Sequence, residues 1–172
     1  MLLALLLALC LGAAAGQLLA ATPLGPAGGA SSSGQVAIVS PMDGETQIFL
    51  VDVHTGRQWR LTAPPGRSTA PAWSPDGQRI AFVKSMNQDA QIYVTDADGS
   101  GARRLTALPG INLLPVWSPD SRRMAFLSNR DGEMAVYVMC ADGRGQRRLG
   151  PVYTDLSVLP LVAWRPPAVR PR

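Results

Sequence analysis

Histidine is nearly missing from this sequence: among 172 residues, His54 is the single imidazole. A Ser-His-Asp hydrolase would have to use it, and no Gly-x-Ser-x-Gly elbow is present. The serines nearest that form, Ser31 to Ser33, stand in a Gly- and Ala-rich stretch. His54 itself takes a turn position held elsewhere by Asp98 and Asp142, so it reads as a surface turn residue. Cysteine is also scarce, with Cys10 and Cys140 alone. One histidine and one mature cysteine supply no zinc set. Cys10 lies in an apolar leader, which leaves no disulfide framework, and Cys140 reads as a small residue at a strand end. Asp96-Ala97-Asp98-Gly99 has part of a calcium-loop spacing, but no bidentate glutamate follows. Charge is mild, with 16 basic and 12 acidic residues for a net +4. Dispersed basic residues that are not interleaved with aromatics argue against nucleic acid. These absences predict a protein without catalytic residues, cofactor or metal, and so not an enzyme.

What is present begins with an apolar run. From Met1 to Ala21 the one strongly polar side chain is Gln17, and about 20 apolar residues suffice to cross a bilayer. As a cleaved signal, Leu2 to Leu11 is the apolar core and Ala13-Ala14-Ala15 supplies small residues before Gly16. No lysine or arginine precedes the run. Lipidation at Cys10 is a third reading, although Leu9 stands where a lipobox wants a small residue. Residues 1–21 are thus a signal peptide or a membrane anchor, and each reading places the remainder outside the cytoplasm, periplasmic or secreted. Residues 22–34, rich in Pro, Gly, Ala and Ser, read as a flexible linker.

Beyond the linker the chain repeats. Trp73-Ser74-Pro75-Asp76-Gly77 returns as Trp117-Ser118-Pro119-Asp120-Ser121. Alanines at 37, 81 and 125 keep a step of 44, as do the aromatics Phe49, Tyr93 and Tyr137 and the leucines Leu61, Leu105 and Leu149. A partial copy closes the series at Val162-Ala163-Trp164. A period in the low forties with several short strands per period indicates propeller blades. In each period a first strand ends on tryptophan, and Ser-Pro-Asp-Gly follows as a turn, with proline presetting φ. A second, apolar strand covers Arg79 to Val83. A polar connection leads to a third strand of the Ile-Tyr-Val type. The fourth is arginine-rich, as suits an outer edge that must not pair. No helical periodicity exists past the leader, so the fold is all-β.

These residues resemble the WD40-like propeller repeats of the TolB family. The resemblance rests on the Trp-Ser-Pro-Asp-Gly turn, Ile80-Ala81-Phe82, Ile92-Tyr93-Val94, the Asp96-Ala97-Asp98-Gly99 turn and Arg103-Arg104-Leu105-Thr106. It covers residues 35–166, with 167–172 as a C-terminal tail. It implies a blade of the kind found in extracytoplasmic bacterial proteins, TolB itself being a periplasmic scaffold that binds other envelope proteins. The same blades occur in prolyl-oligopeptidase-like serine peptidases. No helical-and-sheet domain of the kind that TolB carries precedes the repeats. The reading is an exported, non-enzymatic module that binds a protein, carbohydrate or small ligand. An accessory or remnant peptidase propeller and the sensory ectodomain of a single-span membrane protein are the alternatives.

The strand count predicts a partial propeller of about three blades: three strands from Val36 to Thr62, two sets of four, and one orphan strand near Trp164. Rings need about four blades or more. A homodimer completing a six-bladed ring, a truncated remnant, and an open half-propeller on an unrelated partner all remain open. Trp73, Pro75, Asp76, Gly77, Trp117, Pro119, Asp120 and Trp164 are expected to pack and turn the blades. Trp59, Arg60, Arg103, Arg104, Arg147 and Arg148, on the fourth strands, are the candidate partner contacts.

Overall fold

Runs rich in β-branched and aromatic residues, cut by Asp-Gly, Asn-Gln and Pro-Asp turns, dictate hairpins. The computed structural model describes residues 34–42, 44–151 and 163–164. Its strands are β1 (Gln35–Met42), β2 (Glu45–Asp52), β3 (Gln58–Arg60), β4 (Arg67–Trp73), β5 (Arg79–Met86), β6 (Asp89–Asp96), β7 (Arg103–Arg104), β8 (Asn112–Trp117), β9 (Arg123–Ser128), β10 (Ala135–Cys140) and β11 (Arg147–Pro151). They form three sheets, in the orders β1-β2-β3, β4-β5-β6-β7 and β8-β9-β10-β11. Neighbouring strands within each sheet are antiparallel. The all-β repeat architecture expected from the sequence is therefore present, with three, four and four strands. The leader (1–21), the linker but for Gly34, and the tail (167–172) lie outside the described residues.

The sheets fan out. Strands β4 and β8, the first of their sheets, lie against each other and against the sheet before. This arrangement makes the first strand the inner one and the fourth the outer edge. Apolar side chains fill the gap between successive sheets. Ile48, Leu50 and Leu61 of the first repeat meet Ile80 and Phe82 of the second. Ile92, Val94 and Leu105 of the second meet Trp117, Met124 and Phe126 of the third. Leu61 and Leu105 therefore face the following sheet.

Two local departures have physical causes. β5 runs on to Met86 rather than stopping at Val83, because Asn87 and Gln88 both take positive φ (50° and 67°). That pair makes a two-residue turn whose twist matches the strands, so pairing continues to Met86 opposite Asp89. The inner strands carry a bulge that the repeat pattern did not announce. The register slips between Thr69 and Ala72 and between Leu113 and Val116. Ala70 and Leu114 have φ of 50° and 51° there. Pro71 and Pro115 follow them, and such bulges are where a strand tolerates proline.

Candidate functional site

The tryptophan turn is built by its own polar groups. Ser74 N–H donates to the Arg79 carbonyl (2.8 Å), and Arg79 N–H returns a bond to Ser74 Oγ (2.9 Å). The Ser74 hydroxyl donates to Asp76 Oδ1 (2.5 Å), which also accepts Gln78 N–H (3.0 Å). Gly77 N–H closes the turn onto the Ser74 carbonyl (2.8 Å) at φ 70°. Ser118, Asp120, Arg122 and Arg123 repeat the arrangement. The Ser74 hydroxyl and then the Gln78 amide hold the Asp76 carboxyl below its ordinary range, and Ser118 and Arg122 do the same for Asp120. Ser121 stands where the first copy has glycine. It accepts φ 57° and reaches back to the previous turn, its Oγ accepting Asp76 N–H (3.1 Å) and its carbonyl accepting Arg79 Nη2 (2.9 Å). The Arg79 guanidinium also lies over the Trp117 ring at 4.8 Å.

The tryptophans tie one inner strand to the next. Trp117 Nε1 donates to the Ala72 carbonyl at 3.0 Å, and Trp164 Nε1 donates to the Val116 carbonyl at 3.0 Å. Each acceptor is the residue just before the preceding tryptophan. Trp73 packs against the first inter-sheet core, but its buried Nε1 has no partner among the described residues.

A second device escaped the sequence reading. Thr62 Oγ1 accepts Ile48 N–H (2.9 Å) and donates to Gln47 Oε1 (2.8 Å). Thr106 Oγ1 does the same with Ile92 N–H (2.9 Å) and Gln91 Oε1 (2.7 Å). Each hydroxyl takes the place of a ladder carbonyl where the outer strand ends. The signal was available, since Gln47 and Gln91, like Thr62 and Thr106, are one repeat step apart. The third copy has Ala135 and Gly150 at these positions. There Arg130 is the organiser: it lies over the Phe126 and Tyr137 rings and donates to Gln146 Oε1, Asn112 Oδ1 and Ser128 Oγ. Tyr137 donates to Asp131, and burial, then that bond, pushes its phenol pKa up.

The candidate contact residues separate into two groups. Trp59 is buried (9% exposed) in the core between the first and second sheets, so its ring is not presented to solvent. Arg103 shows why. At the same repeat position it points toward the following sheet, where Nη1 donates to the Asp142 carbonyl (3.0 Å) and Nη2 to that of Ala141 (3.4 Å). Tryptophan fills that inter-sheet space with apolar surface; arginine spans it to backbone carbonyls. Arg104 is exposed and pairs with Asp89 at 3.6 Å. Arg147 and Arg148 are exposed on β11, and Arg60 is half-buried on β3. His54 is exposed in its turn, where its N–H donates to Asp52 Oδ1 (3.0 Å). Among the described residues no three His, Cys, Asp or Glu side chains form a group able to hold a metal.

Comparison with known proteins agrees with the repeat geometry. The TolB beta propeller domain family matches residues 22–157. The chain belongs to this family. Its fold is similar to TolB from Acinetobacter baumannii, at 30% identity and a TM-score of 0.61, over 69% of this chain and 30% of that one. It is similar also to a putative TolB from Agrobacterium tumefaciens, at 29% identity and TM-score 0.63, over 70% of this chain and 44% of that one. The TolB-family chain described here thus spans less than half the length of either. An acylaminoacyl peptidase shares the propeller fold at 21% identity and TM-score 0.54, over 70% of this chain and 24% of that one. No curated protein matches.

Proposed function

We propose that this TolB-family chain is an exported, non-enzymatic propeller module that binds a protein partner in the cell envelope. The observation that carries the reading is where the polar side chains are spent. Ser74, Asp76, Gln91, Thr106 and Arg130 all hold the chain's own backbone or side chains. What the outer strands leave exposed is arginine: Arg104, Arg147 and Arg148, with Arg103 held to the Ala141 and Asp142 carbonyls. Such a rim suits an acidic protein surface, and its attraction would weaken with salt.

Export through residues 1–21 is part of the proposal, with a periplasmic or secreted destination. Cell fractionation, together with the intact mass of the recovered chain, separates a cleaved leader from a retained anchor. The binding test compares the wild-type chain with Arg104→Glu/Arg148→Glu by in-cell crosslinking and mass spectrometry. A defined envelope partner, lost on charge reversal, is expected; equal crosslinking by both chains refutes the basic rim. The likeness to acylaminoacyl peptidase keeps one other reading alive, an accessory propeller of a serine peptidase. Recovery of a peptidase as the crosslinked partner decides for it. Labelling of the purified chain by a fluorophosphonate probe would overturn the non-enzymatic reading altogether.

A further inference from the structure

The indole bonds follow a rule, and Trp73 is the exception. Trp117 and Trp164 each donate to the carbonyl just before the previous tryptophan, both at 3.0 Å. Trp73 should donate to the same place on an inner strand of the first sheet. Among the described residues that sheet has no inner strand, since β1 pairs with β2 alone, and the buried Trp73 Nε1 has no partner. Beyond the third sheet the opposite holds. Trp164 occupies the indole site of an inner strand, without a sheet of its own among the described residues.

Burial tells the same story at both ends. In β5 and β9 the residues one step on from Val36, Ile80 and Met124, are both 0% exposed; Val36 is 48% exposed. Val39 is 37% exposed, against 1% and 3% for Val83 and Leu127. Val53 is 53% exposed, whereas its third-copy counterpart Ala141 is 8% exposed. At the far end Leu149 is 52% exposed, while Leu61 and Leu105, which face a following sheet, are each 6%. Positions buried in the second sheet at Ile80, Val83 and Leu105 thus lie open at Val36 and Val39 of the first sheet and at Leu149 of the third.

We infer that two copies of this chain complete each other by exchanging inner strands. The segment at Ala163-Trp164 of one copy enters the first sheet of the second beside β1, and the reciprocal exchange closes a ring of six sheets. The register follows from the complete sheets, where Ala72 faces Ala81 and Val116 faces Ala125. Ala163 then faces Ala37, and Trp164 faces Val36. The Ala163 carbonyl becomes the acceptor that Trp73 Nε1 lacks. Leu149 is covered by the incoming first sheet. Arg147, at the position from which Arg103 reaches the carbonyls of Ala141 and Asp142, reaches those of Val53 and His54. Six blades lie within the range of about four to eight that closes a propeller, and closure removes both open edges.

The test uses full-length chains with Cys10→Ser and Cys140→Ser, purified in mild detergent. One carries Ala37→Cys and the other Ala163→Cys. The two are mixed and treated with a short bismaleimide. The inference expects a two-chain mass by light scattering and a covalent hetero-pair found in the mixture alone. A one-chain mass with no crosslink means that something else, residues 22–33 included, covers β1, and it overturns the inference. So does a crosslink formed within single chains bearing both cysteines. Leu149→Asp alters a side chain already exposed in the single chain, so it should yield folded monomers with an unchanged far-ultraviolet spectrum. A persistent dimer would refute the assigned surfaces. Trp73→Phe removes two such bonds from the reciprocal dimer, so it should weaken dimerisation about thirtyfold, the factor equivalent to ~1 kcal/mol for each hydrogen bond.

Discussion

Replacing Thr106 by valine keeps the side-chain shape and removes one hydroxyl. That hydroxyl is fully buried (0% exposed). It donates to Gln91 Oε1 at 2.7 Å and accepts Ile92 N–H at 2.9 Å. Losing the first bond costs about 1 kcal/mol, and stranding a buried amide donor adds about 1–3 kcal/mol. The expected loss is therefore about 2–4 kcal/mol, a large part of the roughly 5–15 kcal/mol that holds a domain together. Urea unfolding followed by circular dichroism at fixed protein concentration measures it. With a slope of about 1–3 kcal/mol/M, the midpoint should fall by on the order of 1–2 M. Thr106→Ser keeps the hydroxyl and loses a methyl, so it should recover most of the stability. Thr62→Val removes the same pair of bonds from the first sheet, at 2.9 and 2.8 Å, and should behave like Thr106→Val. A Thr106→Val protein within about 0.5 kcal/mol of wild type would refute the reasoning, because a satisfied amide cannot vanish so cheaply. Equal damage from serine and valine would refute it too, by showing that packing rather than the hydroxyl matters.

Trp117→Phe should cost about 1–2 kcal/mol in the same assay by removing the bond to Ala72, and Trp117→Ala about 3–5 kcal/mol by also opening a cavity. Gly77→Ala should cost about 1–2 kcal/mol from its φ of 70° alone, since nothing lies within 4 Å of the added Cβ. The carboxyls of Asp52, Asp76, Asp98 and Asp120 are all held below 3.8 by hydroxyl and amide donors. Their contribution to stability is fully present above that unfolded value and is lost as pH falls through the folded ones. The thermal midpoint should therefore drop on acidification below about pH 4, and Asp76→Asn/Asp120→Asn should flatten the slope. Arg103→Ala should change stability by less than about 1 kcal/mol, because its guanidinium works at an exposed site.

The fold was legible because its determinants recur. The Trp-Ser-Pro-Asp turn needs proline for φ, aspartate to accept amides and serine to lock the aspartate, and all three residue types are visible in the text of the chain. Strand ends were harder to read. Asn87-Gln88 lacks the glycine that announces a tight hairpin, so the extension of β5 to Met86 stayed hidden. The bulges at Ala70 and Leu114 were hidden for a related reason, since neither residue advertises a positive φ. Trp59 lies on the outer strand as expected, but it is buried there rather than offered as a partner contact. A side chain on an outer strand can still face the next sheet, and only the geometry shows that arginine and tryptophan there serve one gap.

Which repeat positions are consumed within the chain and which stay exposed therefore says where function lies. Some positions that keep the step, such as Gln47 and Gln91 or Thr62 and Thr106, are consumed by bonds within the chain, whereas Leu149 and Arg148 keep it and stay exposed. A partner can recognise only what differs between blades or what the fan leaves uncovered. The uncovered apolar positions, Val36, Val39, Val53 and Leu149, sit on the two end sheets. The exposed arginines, Arg104 and Arg148 among them, sit on the outer strands. Apolar ends call for a surface that fits blade against blade, and a basic rim calls for an acidic surface approaching from outside. The two demands are met by different partners at different faces, so Leu149→Asp should abolish self-association and leave the rim's binding strength per chain unchanged. Charge reversal at Arg104 and Arg148 should do the opposite.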